Sequence, residues 1–363
     1  MFVPITNTPR DYAWGSTTAI ADLLGTEASG GPEAELWLGT HAGSPARTPD
    51  GLLSDVAQLP FLLKVLAAGS PLSLQAHPTS AEAVAGFARE EAAGVPIDAT
   101  HRNYKDDRHK PELIFALTPF RALCGFRPVT ETGATLERFI AASPGNAPLN
   151  GLLDCLGDDE HIRPVFEWLI SRGPGVAEVV EALVAAAPLV DGSYSTLVTE
   201  LAAAYPGDPG IAISLLLNLA ELEPGEVLYL PAGNIHAYVE GLGIELMAAS
   251  DNVLRGGLTP KHVDVAELLS VLDFTALPVP YLRPIVDGDT VDVFRPAVRD
   301  FQLVHVTGDG SVSVAGDAIL LCTAGSFEVN GTRIARGDAL FARDEPHLAV
   351  TGSGSLFVAA AQP

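Results

Sequence analysis

The sequence predicts a mainly β chain interrupted by an α-helical insertion, and three observations carry that reading. Short apolar runs bounded by Gly, Pro or Ser dominate as far as about Phe126. From about Thr130 to Asn218 the apolar residues change to three- and four-residue spacing, the period of amphipathic helices. From Val291 onward the turn signals GDGS, AGD, VNG, ARGD and GSGS recur at a spacing of roughly 8–12 residues, which fits an all-β sandwich or jelly roll. The expected division is a β-domain in two parts, 1–127 and 215–274, a helical insertion over 128–214, and a second, jelly-roll-like β-domain over 275–363.

The elements follow in order. AELWLG (34–39), LLKVLA (62–67) and LSLQAH (72–77) are strand-like. AEAVAGFAREEAAG follows Pro78-Thr79-Ser80; Ser80 is read as the N-cap of a helix that Gly94 stops. TLERFIAAS, IRPVFEWLI, VAEVVEALVAAA and YSTLVTELAAAY form the helical block, punctuated by Pro and Gly. Strand signals resume with EVLYLPAG at Glu226, a short helix is expected over 262–272, and AILLCTA and SLFVAA read as strands between the last turns.

Composition narrows the class of function. Twenty-one Lys and Arg stand against 45 Asp and Glu, a net charge of −24. A surface that acidic disfavours nucleic acid and anionic lipid as partners. Hydrophobic content of 47% with 18% charged residues excludes a disordered chain. Cys124, Cys155 and Cys322 are odd in number and include no CxxC, so neither a disulfide framework nor a thiolate zinc site is expected. The opening MFVPITNTPRDYAWG has no secretory pattern, and the apolar run 211–220 is too short to span a bilayer. A soluble cytoplasmic enzyme is the expectation. Only four lysines, Lys64, Lys105, Lys110 and Lys261, accompany 17 arginines, which singles those four out.

Four segments carry candidate chemistry. Gly225 to His236 reads G-x5-P-x-G-x2-H, which resembles the second conserved motif of cupin jelly rolls; its two turns aim His236 toward a barrel mouth, where a metal can sit. Glu240 stands where that motif usually closes on Asn. In Gln75-Ala76-His77 the outer two side chains share one face of a strand. In YKDDRHKPE, Glu112 opens a strand and Lys110 lies two residues away on the same face. Gln75, His77, Glu112 and His236 together make a thiolate-free set suited to Zn²⁺ or another divalent ion with positions left open. The fourth segment runs from His236 to Lys261 and sets Glu245, Asp251, Asn252, Arg255 and Lys261 in a β-domain that should be apolar.

YKDDRHKPE and HAYVEGLGIELMAASDNVLRGGLTPK closely resemble the two signature segments of the type I mannose-6-phosphate isomerase family (the phosphomannose isomerases, cupins). QAHP, YAWG and ELWLGTH resemble it too. The likeness spans about residues 10–127 and 215–272; Gly256 replaces the family's usual Ala, which would loosen the loop holding Arg255, and Arg108 replaces a frequent Asn. The resemblance implies a cupin-type jelly-roll catalytic domain and zinc-dependent interconversion of mannose 6-phosphate and fructose 6-phosphate. It implies one Zn²⁺ per chain, held by Gln75, His77, Glu112 and His236, and a catalytic Arg255. A sugar phosphate is then the partner, the chain is expected to be a monomer, and its place is in mannose catabolism or in supplying the GDP-mannose precursor.

Such an isomerisation moves a proton between C2 and C1 through an enediol. Glu245 and Lys110 are the two candidates for the base, and Arg255 either stabilises the enediolate or clamps the phosphate. An ion pair between Glu245 and Arg255 is the structural alternative. Two other readings stay open: another cupin metalloenzyme, such as a cupin-type phosphoglucose isomerase or an oxygenase, and a non-catalytic sugar-binding cupin. RDEPH at 343–347 lacks companion ligands and is read as structural.

Overall fold

Strand and helix change over where the apolar spacing changes. The computed structural model describes every residue except Asp287 and Pro363. Among the described residues the strands form two nine-stranded sheets and one two-stranded ribbon, and the helices gather between strands of the first sheet.

In the first sheet Val227–Leu230, Glu112–Ala116, His236–Ala248, Phe61–Ala68 and Glu35–Leu38 lie side by side. Phe61–Ala68 reads FLLKVLAA and is buried along its whole length, as expected of a strand covered on both faces. Leu254–Arg255, Gln75–Ala76, Phe120–Phe126 and Leu217–Leu222 complete the sheet, reached through the first five residues of His236–Ala248. Gly241, at φ +128°, marks the bend between the two halves; a Cβ there would lie 2.9 Å from the Phe120 Cα.

The helical block leaves and re-enters at one place. Phe120–Phe126 pairs with Leu217–Leu222, and Phe126 faces Leu217 across the ladder. Five helices from Val129–Ala142 to Ser193–Ala204 lie in between and bury one apolar stripe each, with Phe139, Phe166, Leu183 and Leu201 among the buried anchors.

The second sheet runs Phe2–Ile5, Ala339–Ala342, Ala315–Val329, His347–Ala361, Gln302–Val306, Val291–Phe294 and Ile285–Val286, with Gly310–Ser313 and Thr332–Ala335 attached. Its inner face shares a core with the first sheet. The Phe115 ring sits edge-on to Phe294 and Phe357, at centroid separations of 5.6 and 4.9 Å.

Four expectations need correction. The amino-terminal strand Phe2–Ile5 pairs with Ala339–Ala342, so it belongs to the carboxy-terminal sheet rather than with the rest of 1–127; it covers an edge that would otherwise be bare. Leu217–Leu222 is a strand, so the helical spacing read as far as about Asn218 ends two residues sooner; so short an overlap fits either period. The helix Ser80–Ala92 is capped by Thr79, whose hydroxyl accepts from the Glu82 N–H while Glu82 accepts from the Thr79 N–H; a capping box needs its acid three residues on. The short helix is Val265–Val271, started later than expected by the Asp264 cap.

Candidate active site

The long strand His236–Ala248 assembles the site. Its first residue pairs with Gln75, its middle pairs Glu245 with Lys64, and Met247 pairs with Glu112. Three distant stretches of chain are thereby drawn to one place. A cavity of about 560 Å³ opens there. Gln75, Lys110, Glu112, Glu245 and Arg255 line it, while His77 and His236 lie buried against Glu112. All seven candidate residues are therefore brought together.

His77 Nε2 stands 3.4 Å from one Glu112 oxygen and His236 Nε2 stands 3.2 Å from the other. Each imidazole is fixed from behind: His77 Nδ1 lies 2.7 Å from the Asn252 carbonyl and His236 Nδ1 lies 3.0 Å from the Asn234 carbonyl. Carbonyls only accept, so both Nδ1 atoms carry a proton, and in a neutral imidazole that leaves the Nε2 lone pair facing the carboxylate. Gln75 Nε2 lies 3.3 Å from His236 Nε2, and turning the amide over would present its oxygen instead.

Acceptors thus face acceptors. His77 Nε2 and one Glu112 oxygen are buried without a hydrogen-bond partner among the described residues. One ligand atom from each of His77, Glu112 and His236 falls within 4.8 Å of the others. Orphaned lone pairs converging in a buried pocket are what a small divalent cation satisfies, and two imidazoles, a carboxylate and an amide oxygen suit a borderline ion. Protonation runs the same way. Burial, then the Lys110 ammonium, lower His77 to about 4. Burial alone would raise Glu112, but Lys110, 2.7 Å away, and then the histidines hold it well below the usual carboxylate range.

A second buried cluster flanks the first. Lys64 Nζ lies 2.8 Å from Glu245 and 3.5 Å from Glu35, and Glu35 also accepts from the Trp37 indole at 2.8 Å. Burial opposes the ammonium, yet Glu245, Glu35 and Glu112 outweigh it and raise the Lys64 pKa. Glu245 is itself raised, by burial first, with Glu112 and Glu35 adding to it against the pull of Lys64. The partner of Glu245 is therefore Lys64, and the expected alternative of a Glu245–Arg255 pair does not occur. The Tyr238 hydroxyl, two residues beyond His236, is buried at the cavity without a partner among the described residues.

Arg255 and Lys261 line the same cavity, Arg255 paired in register with Gln75. Among the described residues neither has an acidic partner within salt-bridge distance, and burial lowers both pKa values, Arg255 adding to the effect on Lys261. Two uncompensated cations in one cavity of a chain this acidic form a ready anion site. Gly256 does not loosen this loop. A Cβ there would lie 3.1 Å from Ile235, and its N–H donates to the Leu74 carbonyl at 2.7 Å.

Sequence reasoning left Glu35 and His41 without roles. Glu35 reaches Lys64, and His41 Nε2 lies 3.2 Å from Asp251. Both sit in or beside ELWLGTH, so that segment was the available signal. RDEPH makes no site: Arg343 pairs with Asp317 and Glu345 with the amino terminus.

Comparison with known proteins agrees with this arrangement. The family model described as phosphomannose isomerase type I, catalytic domain, matches residues 2–58 and 52–129. The mannose-6-phosphate isomerase of Escherichia coli (strain K12) is 37% identical over 384 residues, covering 96% of this chain and 97% of that protein. The apo mannose 6-phosphate isomerase from Salmonella typhimurium superposes with a TM-score of 0.91 at 34% identity, covering 100% of this chain and 99% of that one. A zinc-bound mannose 6-phosphate isomerase superposes with a TM-score of 0.90 at 34% identity, with both chains fully covered. Likeness at this level, end to end in sequence and in fold, makes the chain a member of the type I phosphomannose isomerase family.

Proposed function

We propose that the chain interconverts mannose 6-phosphate and fructose 6-phosphate with the help of one zinc ion. The observation that carries this is the convergence of His77, Glu112 and His236 lone pairs beside a cavity that also holds two unpaired cations. Related proteins are mannose-6-phosphate isomerases, one of them solved with zinc. Gln75, His77, Glu112 and His236 would hold the ion. Bound there, zinc supplies Lewis acidity toward sugar oxygens without redox chemistry.

The chain's own groups do the rest. Arg255 and Lys261 receive the phosphate dianion and orient the open-chain sugar across the cavity. A base removes the proton from C2 of the aldose while O1 gains one, giving the enediol. The protonated base then delivers a proton to C1 while O2 loses its own, giving the ketose. Glu245 and Lys110, both lining the cavity, are the two candidates for that base. Glu245 pairs with Lys64 at 2.8 Å, and Lys110 pairs with Glu112 at 2.7 Å. Exchange of the C2 hydrogen with deuterated solvent separates them, since it stops in Glu245→Gln or in Lys110→Met according to which one moves the proton.

The finer architecture belongs to the same reading. The first sheet is a cupin-type jelly roll carried by 1–127 and 215–274, less the amino-terminal strand. Residues 128–214 are its helical insertion, and 275–363 form a second jelly-roll-like domain. The enzyme works as a cytoplasmic monomer with a sugar phosphate as its partner. No helix among the described residues is long and apolar enough to cross a membrane.

A coupled assay with mannose 6-phosphate before and after chelation tests the function, with metal analysis on the same sample. Chelation abolishes turnover and added zinc restores it. Glu112→Ala loses the metal and about a thousandfold in kcat/KM, and Arg255→Ala loses about a hundredfold. Values within about threefold of the parent for both variants would contradict the assignment.

A further inference from the structure

The loop after Arg255 holds a leucine where leucine is strained. Leu258 has φ +53° and is fully buried. Three other non-glycine residues among those described have a positive φ, and none of them lines the cavity. A buried leucine stays in the left-handed region only where its surroundings over-determine it.

What holds it comes from the helical insertion. Asp208 Oδ1 accepts from the Leu258 N–H at 2.9 Å and from the Gly210 N–H at 2.7 Å. Asp208 is itself buried, and its other oxygen is 3.6 Å from Arg172. The contact depends on two glycines. A Cβ on Gly210 would lie 2.7 Å from Leu258 Cγ, and one on Gly257 would lie 3.1 Å from Asp208 Oδ1. The Leu258 side chain packs into the core of the helical block. Backbone and side chain are therefore both gripped by the insertion.

Arg255 and Lys261 lie three residues to either side of Leu258. Arg255 has a second anchor, because Leu254–Arg255 pairs with Gln75–Ala76 and the following glycines exchange hydrogen bonds with Leu74. Thr259 to Lys261 lie outside any named strand or helix, and the Lys261 N–H donates only to the Thr259 hydroxyl.

We infer that Asp208 is a positioning residue for the substrate phosphate, acting through the left-handed turn at Leu258 to aim Lys261 into the cavity. This rests on the reading of Arg255 and Lys261 as the phosphate-binding pair.

Asp208→Ala in the zinc-loaded enzyme tests it. The KM for mannose 6-phosphate and the inhibition constant of inorganic phosphate both rise about tenfold. Meanwhile kcat and zinc content change less than about threefold. Asp208→Asn keeps an acceptor oxygen and stays within about threefold of the parent on all four measures. In a Lys261→Ala background, Asp208→Ala adds less than about twofold to KM, because the group it aims is gone. Should the alanine variant fail to fold, Asp208→Ser carries the same expectation, because it withdraws the carboxylate oxygen that the Gly210 and Leu258 N–H groups share. An unchanged KM in folded Asp208→Ala or Asp208→Ser overturns the inference, as does a KM effect that multiplies fully with Lys261→Ala. If neither Lys261→Ala nor Arg255→Ala moves KM or phosphate inhibition, the phosphate reading itself falls.

Discussion

Glu245 shows how one side chain's chemistry is set by its neighbours. Burial and two nearby carboxylates raise its pKa, and Lys64 alone pulls the other way. If Glu245 is the base, it must be ionised to work, so activity falls on acidification from a pH above the usual carboxylate range. Lys64→Met removes the opposing charge and raises the Glu245 pKa further. The acid limb of kcat/KM then moves to higher pH, and a pH–rate profile reads this directly. An acid limb left in place by Lys64→Met, in an enzyme that still turns over, would assign the proton to Lys110 instead.

At the scale of elements, Asn252 ties the metal cluster to the loop that precedes Glu112. Its side chain accepts from the Lys105 and Asp106 N–H groups and donates to the Asp106 and Arg108 carbonyls. Its backbone carbonyl fixes His77 Nδ1. One fully buried amide thus sets the path of 105–108 and, through it, the placement of Lys110 and Glu112. Asn252→Ala leaves part-buried backbone groups of 105–108 without their partner and costs about 1–3 kcal/mol in stability, read from a urea titration. Zinc affinity falls roughly 10–100-fold, read by competition with a chelator, because the groups behind the ligands have shifted. Normal affinity together with lowered stability would show that the loop does not need Asn252 to place Glu112.

Taken whole, the molecule is bound together by the core between its two sheets. Phe115 lies on the same strand as Glu112, and it packs on Phe294 and Phe357 of the carboxy-terminal sheet. Phe357→Ala costs about 3–5 kcal/mol and lowers the denaturation midpoint of the entire chain in one transition. Removing 275–363 strips that core from the catalytic sheet, and the remaining fragment neither unfolds cooperatively nor binds zinc. A soluble 1–274 fragment with a sharp unfolding transition would show that the first sheet stands alone.

Residue types and their spacing made the candidate ligands and the order of strands and helices readable ahead of the fold. Gln75, His77, Glu112 and His236 were legible because metal ligands must be particular residue types and because motif spacing follows strand and turn geometry. The helical insertion was legible from its period, and the first two residues of the strand that closes it were not, since Leu217 and Asn218 alone fit either conformation. The partnerships came only with folding. It gave Lys64 to Glu245 rather than Arg255, brought Glu35 and His41 to the site, and sent Phe2–Ile5 to the far sheet. Each of these depends on segments meeting across long stretches of chain, and local propensity carries no term for which distant residue a buried charge or an open strand edge will find.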